Sequence, residues 1–270
     1  MNSLFNTDVN ADRVRNLPIN DDIVNRMVCL LDGASGNEYY EGANADSFDF
    51  ASTKDWSVSF WLNRKNIGAN ATILDNRNIG TNDGTQISIV GNLLRLRIEN
   101  AVGAYVFQGL SDANVEITGG CWYHLVVIWK GTLATPTAEF YINGIQSATN
   151  ILNQNIALSF TGNLQNIRYG ISCILTGNDV GEIKDLSIWG KTLTLDNVVY
   201  LYNRGVPNNC NETDFAGFLY HYYRFGDGYT ATLSDNNTQI IDFSTMGIAN
   251  LLGIGVPVAN CPLVADPAFL

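Results

Sequence analysis

A succession of short apolar runs with a period of two constrains the fold more than any other feature. The clearest is the run 56–62, in which every second residue is large and apolar: Trp56, Val58, Phe60 and Leu62. Comparable runs of about five to eight residues follow one another from residue 27 onward, with Gly, Asn and Asp turns between them. This pattern predicts an all-β sandwich or jelly roll.

Composition and charge narrow the function classes. The 270 residues are 46% apolar, which is enough for a sizeable core, and only 15% are charged. The formal net charge of −11 argues against a nucleic-acid partner, because phosphate binding depends on Lys and Arg. Five cysteines without a CxxC pair indicate neither a disulfide framework nor a zinc site. Cys210 and Cys261 lie in loop-like sequence, and a disulfide between them is left open.

One helix is signalled near residue 200. Thr194 is suited to cap its first turn, Asp196 lies in that turn, and an apolar stripe follows. Gly205 is the predicted stop, with Pro207 just beyond it.

Five segments occur in a characteristic order. They are LDGASGNEYYE (31–41), DFASTKDWSVSFWLN (49–63), GCWYHLVVIWKG (120–131), AEFYINGIQ (138–146) and GEIKDLSIWGKTLTLDNVVYLYNRG (181–205). In this order and spacing they resemble the laminin-G-like, or concanavalin A-like, jelly-roll family. The resemblance covers about residues 27–205 and implies an all-β, two-sheet jelly-roll sandwich with one short helix.

The C-terminal third adds a variation on that pattern. Residues 216–245 resemble the segment that normally opens this family, which implies a circularly permuted chain. We therefore expect three parts: an N-terminal arm (1–26), a jelly roll (27–253) in which 206–253 supplies the permuted closing strand, and a C-terminal tail (254–270). The permuted order resembles structural proteins of tailed bacteriophages.

A hydrolytic site is not predicted. Glycoside hydrolases built on this sandwich carry carboxylates at alternating positions of one strand, where they share a face. In GEIKDLS, Lys184 stands two residues after Glu182, and strict alternation would turn Asp185 to the opposite face. The two histidines, His124 and His221, lie in strand-like sequence and are expected to be packing residues. The chain is therefore predicted not to be an enzyme.

The family resemblance implies one structural Ca²⁺. Its ligands would correspond to Asp32, Asp185 and Asp242, because hard cations take carboxylate and carbonyl oxygens. Lys184 occupies the position of a further acidic ligand, and its ammonium group can replace the cation. The alternative is that Asp32 and Asp185 make hydrogen bonds within turns or pair with Lys184 or Arg204.

Carbohydrate binding is the common use of the family, and it requires an aromatic platform with polar side chains nearby. The predicted carbohydrate-binding residues come from loop-proximal positions: Tyr39, Tyr40, Asn76, Arg77, Asn78 and Tyr105. A single patch is not selected by the sequence, because a fold alone does not fix function.

These observations lead to a ranked set of functions. The first is a non-enzymatic structural or decoration protein of a tailed-phage virion, assembled in the host cytoplasm. Its arm and tail would contact other virion proteins or copies of itself, and its loops would adhere to glycans. The second is a soluble carbohydrate-binding lectin module, and the third a glycoside hydrolase. No signal peptide or transmembrane segment is visible, so no membrane partner is expected.

Overall fold

The computed structural model describes residues 29–31, 39–42, 50–64, 70–78, 80–113, 116–162, 165–170, 181–205, 207–224, 230–232, 238–240, 242, 244 and 251–254. Within these ranges the chain forms two β-sheets and one α-helix, and the strands of both sheets pair antiparallel. The predicted fold class, a concanavalin A-like sandwich with one short helix, is confirmed.

Strands and helix are named in chain order. The elements are β1 (Cys29–Leu31), β2 (Tyr39–Gly42), β3 (Asp55–Asn63), β4 (Ala71–Asp75), β5 (Gly84–Val90), β6 (Leu93–Glu99), β7 (Tyr105–Ser111), β8 (Trp122–Lys130), β9 (Thr137–Ile142), β10 (Ile145–Ser147), β11 (Thr149–Gln154), β12 (Arg168–Tyr169), β13 (Gly181–Trp189), α1 (Leu195–Tyr202), β14 (Leu219–Tyr223), β15 (Thr230–Thr232), β16 (Thr238–Ile240) and β17 (Leu251–Ile254).

The two sheets differ in size. A seven-stranded sheet has the order β1-β13-β3-β8-β9-β10, and β14 also pairs with β13. A ten-stranded sheet has the order β11-β7-β6-β5-β4-β12-β2-β17-β16-β15. Strands that are distant in sequence, such as β2 and β17, are therefore neighbours in the larger sheet.

The main core fills the space between the sheets. The four alternating residues of β3, from Trp56 to Leu62, are all fully buried there, as the period-two pattern predicts. The ten-stranded sheet contributes every second residue of β5 and β6: Ile87, Ile89, Leu94, Leu96 and Ile98. Each fully buried large apolar side chain contributes about 1.5–3 kcal/mol, so this alternation is the main determinant of which face turns inward.

A bulge interrupts β13 at Asp185. The register against β3 shifts between Lys184 and Ser187, and Asp185 has a φ of 47°. The bulge moves the alternation by one residue. Asp185 therefore lies on the outer side of the sheet, where its Oδ1 accepts a 2.9 Å hydrogen bond from the hydroxyl of Tyr222. The prediction that Glu182 and Asp185 face opposite sides is wrong, because strict alternation does not hold here.

The helix begins as the sequence predicts. The Thr194 Oγ1 accepts from the amide of Asn197 at 3.3 Å, and the Asn197 side chain accepts from the amide of Thr194 at 3.0 Å. This is a capping box. The helix ends earlier than predicted, because the C-cap Asn203 already takes the left-handed conformation, at φ 40°, two residues before Gly205.

A second core cluster lies between α1 and the outer face of the seven-stranded sheet. It consists of Val126, Ile128, Tyr141, Trp189, Leu193, Val198, Leu201, Cys210, Phe215, Leu219 and Tyr222. The helix thus packs on the outer face of this sheet. The outer face of the ten-stranded sheet is therefore the candidate binding surface.

The C-terminal segment contributes to both sheets. Strand β14 pairs with β13, while β15, β16 and β17 extend the ten-stranded sheet beyond β2. The permuted order stays a prediction.

The arm 1–26 and residues 255–270 lie outside the described residues, as does Cys261, while Cys210 is a buried free thiol. Across the ranges given above, no helix has the length and apolar character needed to cross a membrane.

Candidate functional site

A row of polar side chains crosses the outer face of the ten-stranded sheet. The registers place each member beside the next on a neighbouring strand, and core residues alternate with them along every strand of the row except β11. We call this set the polar row; from β11 to β2 it consists of Asn153, Gln108, Arg97, Gln86, Asp75, Arg168 and Glu41. At about 4.8 Å between adjacent strands, the row extends over roughly 29 Å.

Arg77 holds two carboxylates in the middle of this face. Its guanidinium donates to both oxygens of Asp75, with Nη2 at 2.8 Å from Oδ2, and its Nη1 lies 3.2 Å from Glu99 Oε2. Gln86 adds a 3.0 Å hydrogen bond to Asp75 Oδ2. Asp75 is 0% exposed and Arg77 3%. The charges are thus fixed in place, because a buried carboxylate needs paired donors.

The row becomes accessible on β6, β7 and β11. Arg97 donates to Glu99 Oε1, and its guanidinium carbon lies 5.2 Å from the ring centre of Tyr105, a cation–π geometry. Asn153 Nδ2 donates to Gln108 Oε1 at 2.7 Å. Arg97, Tyr105 and Gln108 are partly exposed and Asn153 is exposed. Together with Arg95, these residues form what we call the open end of the row.

Arg95 is the next outward residue of β6 before Arg97. Its Nε donates to Ser88 Oγ at 3.0 Å and its Nη2 to Gln86 Oε1 at 2.7 Å. Burial, followed by the positive charges of Arg97 and Arg77, lowers the pKa of Arg95. The open end therefore offers guanidinium donors, amides and a tyrosine ring, which are groups suited to binding sugar hydroxyls and a sugar ring face.

The turn after β4 holds Arg77 in position. Asn76 Oδ1 accepts from the amide of Thr85 at 2.8 Å, and Asn78 Oδ1 accepts from the amide of Gly80 at 3.0 Å. Gly84 has a φ of 138°, and a Cβ there would lie 2.7 Å from the Cα of Arg77. Only glycine therefore allows the two ends of this turn to approach so closely.

The structure brings some of the predicted carbohydrate-binding residues to one face. Arg77 and Tyr105 meet through Glu99 and Arg97, and Tyr39 lies on the same outer face beside Glu41, whose Oε1 accepts from Arg168 Nε at 3.1 Å. Partial burial and the charge of Glu41 raise the pKa of Tyr39.

The remaining predicted residues have other surroundings. Tyr40 alternates with Tyr39 and points into the core, where it is 0% exposed. Asn76 is buried and Asn78 half-buried, and both stabilise the turn that carries Arg77.

Two of the predicted metal ligands, Asp185 and Asp242, are not brought together. Asp185 Oδ1 accepts from the hydroxyl of Tyr222 on the outer side of the seven-stranded sheet. Asp242 lies against the opposite side of β14, where Oδ2 is 2.7 Å from His221 Nδ1 and Oδ1 accepts from the amides of Tyr222 and Ser244. Because they lie on opposite sides, the two carboxylates do not fit one shared Ca²⁺.

Asp32, the third predicted ligand, lies outside the described residues. Where side chains are described, no group of three His, Cys, Asp or Glu residues is arranged to hold a metal.

A match to a family model establishes which superfamily this chain belongs to. The model for the concanavalin A-like lectin/glucanases superfamily matches residues 35–199, more than half of the chain. The chain belongs to this superfamily. The matched range runs from the start of β2 through β13 and into α1, so it includes the whole polar row.

Two individual matches show how much of each related protein this chain covers. A pentraxin fusion protein of Xenopus laevis is 30% identical over 103 residues, which are 37% of this chain and 24% of that protein. A solved structure of a candidate carbohydrate-binding protein from Bacteroides ovatus matches with a TM-score of 0.56 at 15% identity, over 85% of this chain and 58% of that one. The second likeness shows the fold alone, and this chain spans only part of either relative.

Superfamily membership does not by itself distinguish binding from hydrolysis. The two buried histidine pairs are closed to substrate: His221 and its partner Asp242 are 0% exposed at their side chains, and His124, which lies 2.8 Å from Ser59 Oγ, is 1% exposed. On the outer face, Asp75 and Glu99 are both paired with Arg77. Neither arrangement presents an open acid–base pair.

The open end contains residues that the sequence analysis did not select. They are Arg95 and Arg97 on β6, Gln108 on β7 and Asn153 on β11. The signal was present in LLRLRIE, where Arg95, Arg97 and Glu99 alternate with Leu94, Leu96 and Ile98. Alternation within β6 gives one polar face of that strand. The neighbouring strands β5 and β7, and β11 beside β7, add the amides and Tyr105.

Proposed function

We propose that this chain is a non-enzymatic carbohydrate-binding module that holds a glycan on the outer face of its ten-stranded sheet. The observation that carries the proposal is the open end of the polar row. There the partly exposed ring of Tyr105, covered by Arg97, lies beside the amides of Gln108 and Asn153. Membership of a lectin-containing superfamily supports the same reading.

The fixed charges suit binding rather than turnover. A glycosidase needs one carboxyl group that can donate a proton and a second that can act as base or nucleophile. Asp75 and Glu99 are both nearly fully buried and both paired with the guanidinium of Arg77, so neither presents an accessible carboxyl group to a glycosidic bond. Incubation of the purified chain with β-glucans should therefore release no reducing ends, and sustained release that is lost on Glu99→Gln would overturn the non-enzymatic assignment.

A glycan array followed by calorimetry tests the binding site. Tyr105→Ala and Asn153→Ala should each weaken binding about tenfold or more, because they remove an aromatic platform and an amide. Tyr39→Ala extends the test to the far end of the row. Tyr200→Ala is the matched control, since Tyr200 is 46% exposed and lies on α1. Equal losses for Tyr105→Ala and Tyr200→Ala would reject this location.

Two finer predictions remain open to experiment. The virion role requires that the chain assemble with phage structural proteins, so the test is whether it copurifies with intact particles. The Ca²⁺ prediction requires Asp32, and titration calorimetry with CaCl₂ on wild type and Asp32→Ala measures it. Absence of saturable Ca²⁺ heat in the wild-type protein would remove the cation from the account.

A further inference from the structure

Among the described residues, the open end and the adjoining Arg77, Asp75 and Glu99 together carry one more positive than negative charge. Three guanidiniums lie together there, those of Arg77, Arg95 and Arg97, and two carboxylates compensate them, those of Asp75 and Glu99. The chain as a whole has a net charge of −11. A local excess of positive charge on so acidic a protein is concentrated where the aromatic ring and the amides also lie.

Arg95 is the source of that excess. Arg77 makes ion pairs with Asp75 and Glu99, and Arg97 with Glu99. Arg95 donates only to neutral oxygens among the residues described, Ser88 Oγ and Gln86 Oε1. These two contacts use Nε and Nη2, whereas a guanidinium has five N–H donors arranged in a planar fork.

The surroundings fix the Arg95 guanidinium, and no carboxylate of the described residues is in contact with it. Ser88 and Gln86 are both nearly fully buried, at 2% and 3% exposed, so they anchor one edge of the group against the sheet. The side chain itself is only partly buried. A guanidinium that is anchored along one edge and has no carboxylate in contact can bind a carboxylate or sulfate through paired charge-assisted hydrogen bonds.

We propose that the glycan bound at the open end is acidic, and that Arg95 recognises its oxyanion, a carboxylate or a sulfate, while Tyr105 and Asn153 contact the sugar ring. This inference rests on the proposed carbohydrate-binding function and specifies its ligand class. The neighbouring charges of Arg97 and Arg77, which disfavour the cationic form of Arg95, are offset when the oxyanion binds.

The experiment compares three polymers by calorimetry: polygalacturonate for carboxylate, dextran sulfate for sulfate, and dextran for neutral sugar. Wild type should bind at least one of the acidic polymers about tenfold or more tightly than dextran. Arg95→Gln should remove that preference, because it should weaken binding of the acidic polymer about tenfold or more and lower its affinity to that for dextran. Arg204→Gln, which removes an exposed positive charge on the other side of the sandwich, should change neither.

The outcomes separate the two proposals. If dextran binds through Tyr105 and Arg95→Gln binds polygalacturonate and dextran sulfate as wild type does, the acidic ligand is rejected and the carbohydrate-binding function stands. If none of the polymers and no array glycan binds, both proposals fail. Arg95→Lys keeps the charge but not the fork and should retain part of the preference. Competition by free glucuronate or inorganic sulfate, but not glucose, checks the wild-type protein without a mutation.

Discussion

Removal of the Arg77 guanidinium should be among the most destabilising changes on the outer face of the ten-stranded sheet. The side chain is 4% exposed and holds Asp75, at 0%, and Glu99, at 2%, through four donor contacts of 2.8–3.2 Å. Arg77→Met leaves two buried carboxylates short of donors, although Gln86 and Arg97 still contact them. Loss of one partner of a buried ion pair costs about 3–5 kcal/mol.

A surface ion pair of the same protein gives the matched control. Lys130 pairs with Glu139, and the two side chains are 30% and 22% exposed. Lys130→Met should cost less than about 1 kcal/mol, because solvent screens the pair. The measurement is urea unfolding at one pH, followed by tryptophan fluorescence and circular dichroism to check that both report one transition.

A double substitution tests the cause of the loss. Arg77→Met with Asp75→Asn should be less destabilised than the sum of the two single changes, since Asn needs no counter-charge. The reasoning would be refuted if Arg77→Met unfolded within about 1 kcal/mol of wild type, as a surface pair would. It would also be refuted if the double variant showed no coupling.

Three further predictions concern other parts of the fold. Full burial lowers the pKa of His124 to about 3, so the folded state binds fewer protons than the unfolded state between that value and 6.5. Stability should therefore fall by about 2 kcal/mol between pH 7 and pH 5 through this group, and urea unfolding of His124→Gln should show a pH dependence weaker by that amount. Thr194→Ala removes the capping hydrogen bond of α1 and should cost about 1 kcal/mol in the same assay, while an unchanged midpoint would contradict the cap. Gly84→Ala places a Cβ against Arg77 at positive φ and should cost more than about 1 kcal/mol, and a variant as stable as wild type would show that the turn has room to relax.

The parts of the fold that follow local rules could be predicted from the sequence. The alternation in β3 identifies its inward residues, and Thr194 identifies the start of α1, because both depend on neighbours in the chain. The bulge at Asp185 could not be predicted. An aspartate at φ 47° inside a strand is stabilised by a partner 37 residues away, the hydroxyl of Tyr222.

The candidate site was predictable only in fragments. Two adjacent tyrosines on one strand must face opposite sides, so Tyr39 and Tyr40 cannot belong to one exposed platform. The sequence predicts Arg77 and Tyr105 as carbohydrate-binding residues, and that role stays a prediction. Their meeting depends on the pairing of β6 with β7 and on Glu99 between them. The residues of the polar row come from seven strands, β11, β7, β6, β5, β4, β12 and β2. The order in which those strands pair is a property of topology rather than of any local pattern.

The pairing of β2 with β17 has a consequence for how the chain reaches its native state. Tyr39 lies opposite Ile254, so these two neighbouring strands of the larger sheet are separated by roughly 210 residues of chain. Closing so long a loop costs conformational entropy, so the pairing forms slowly. Folds dominated by contacts of such separation fold in about milliseconds to seconds rather than microseconds. During ribosomal synthesis, β2 must wait for the last strand to emerge, and until then its unpaired edge is exposed to intermolecular pairing.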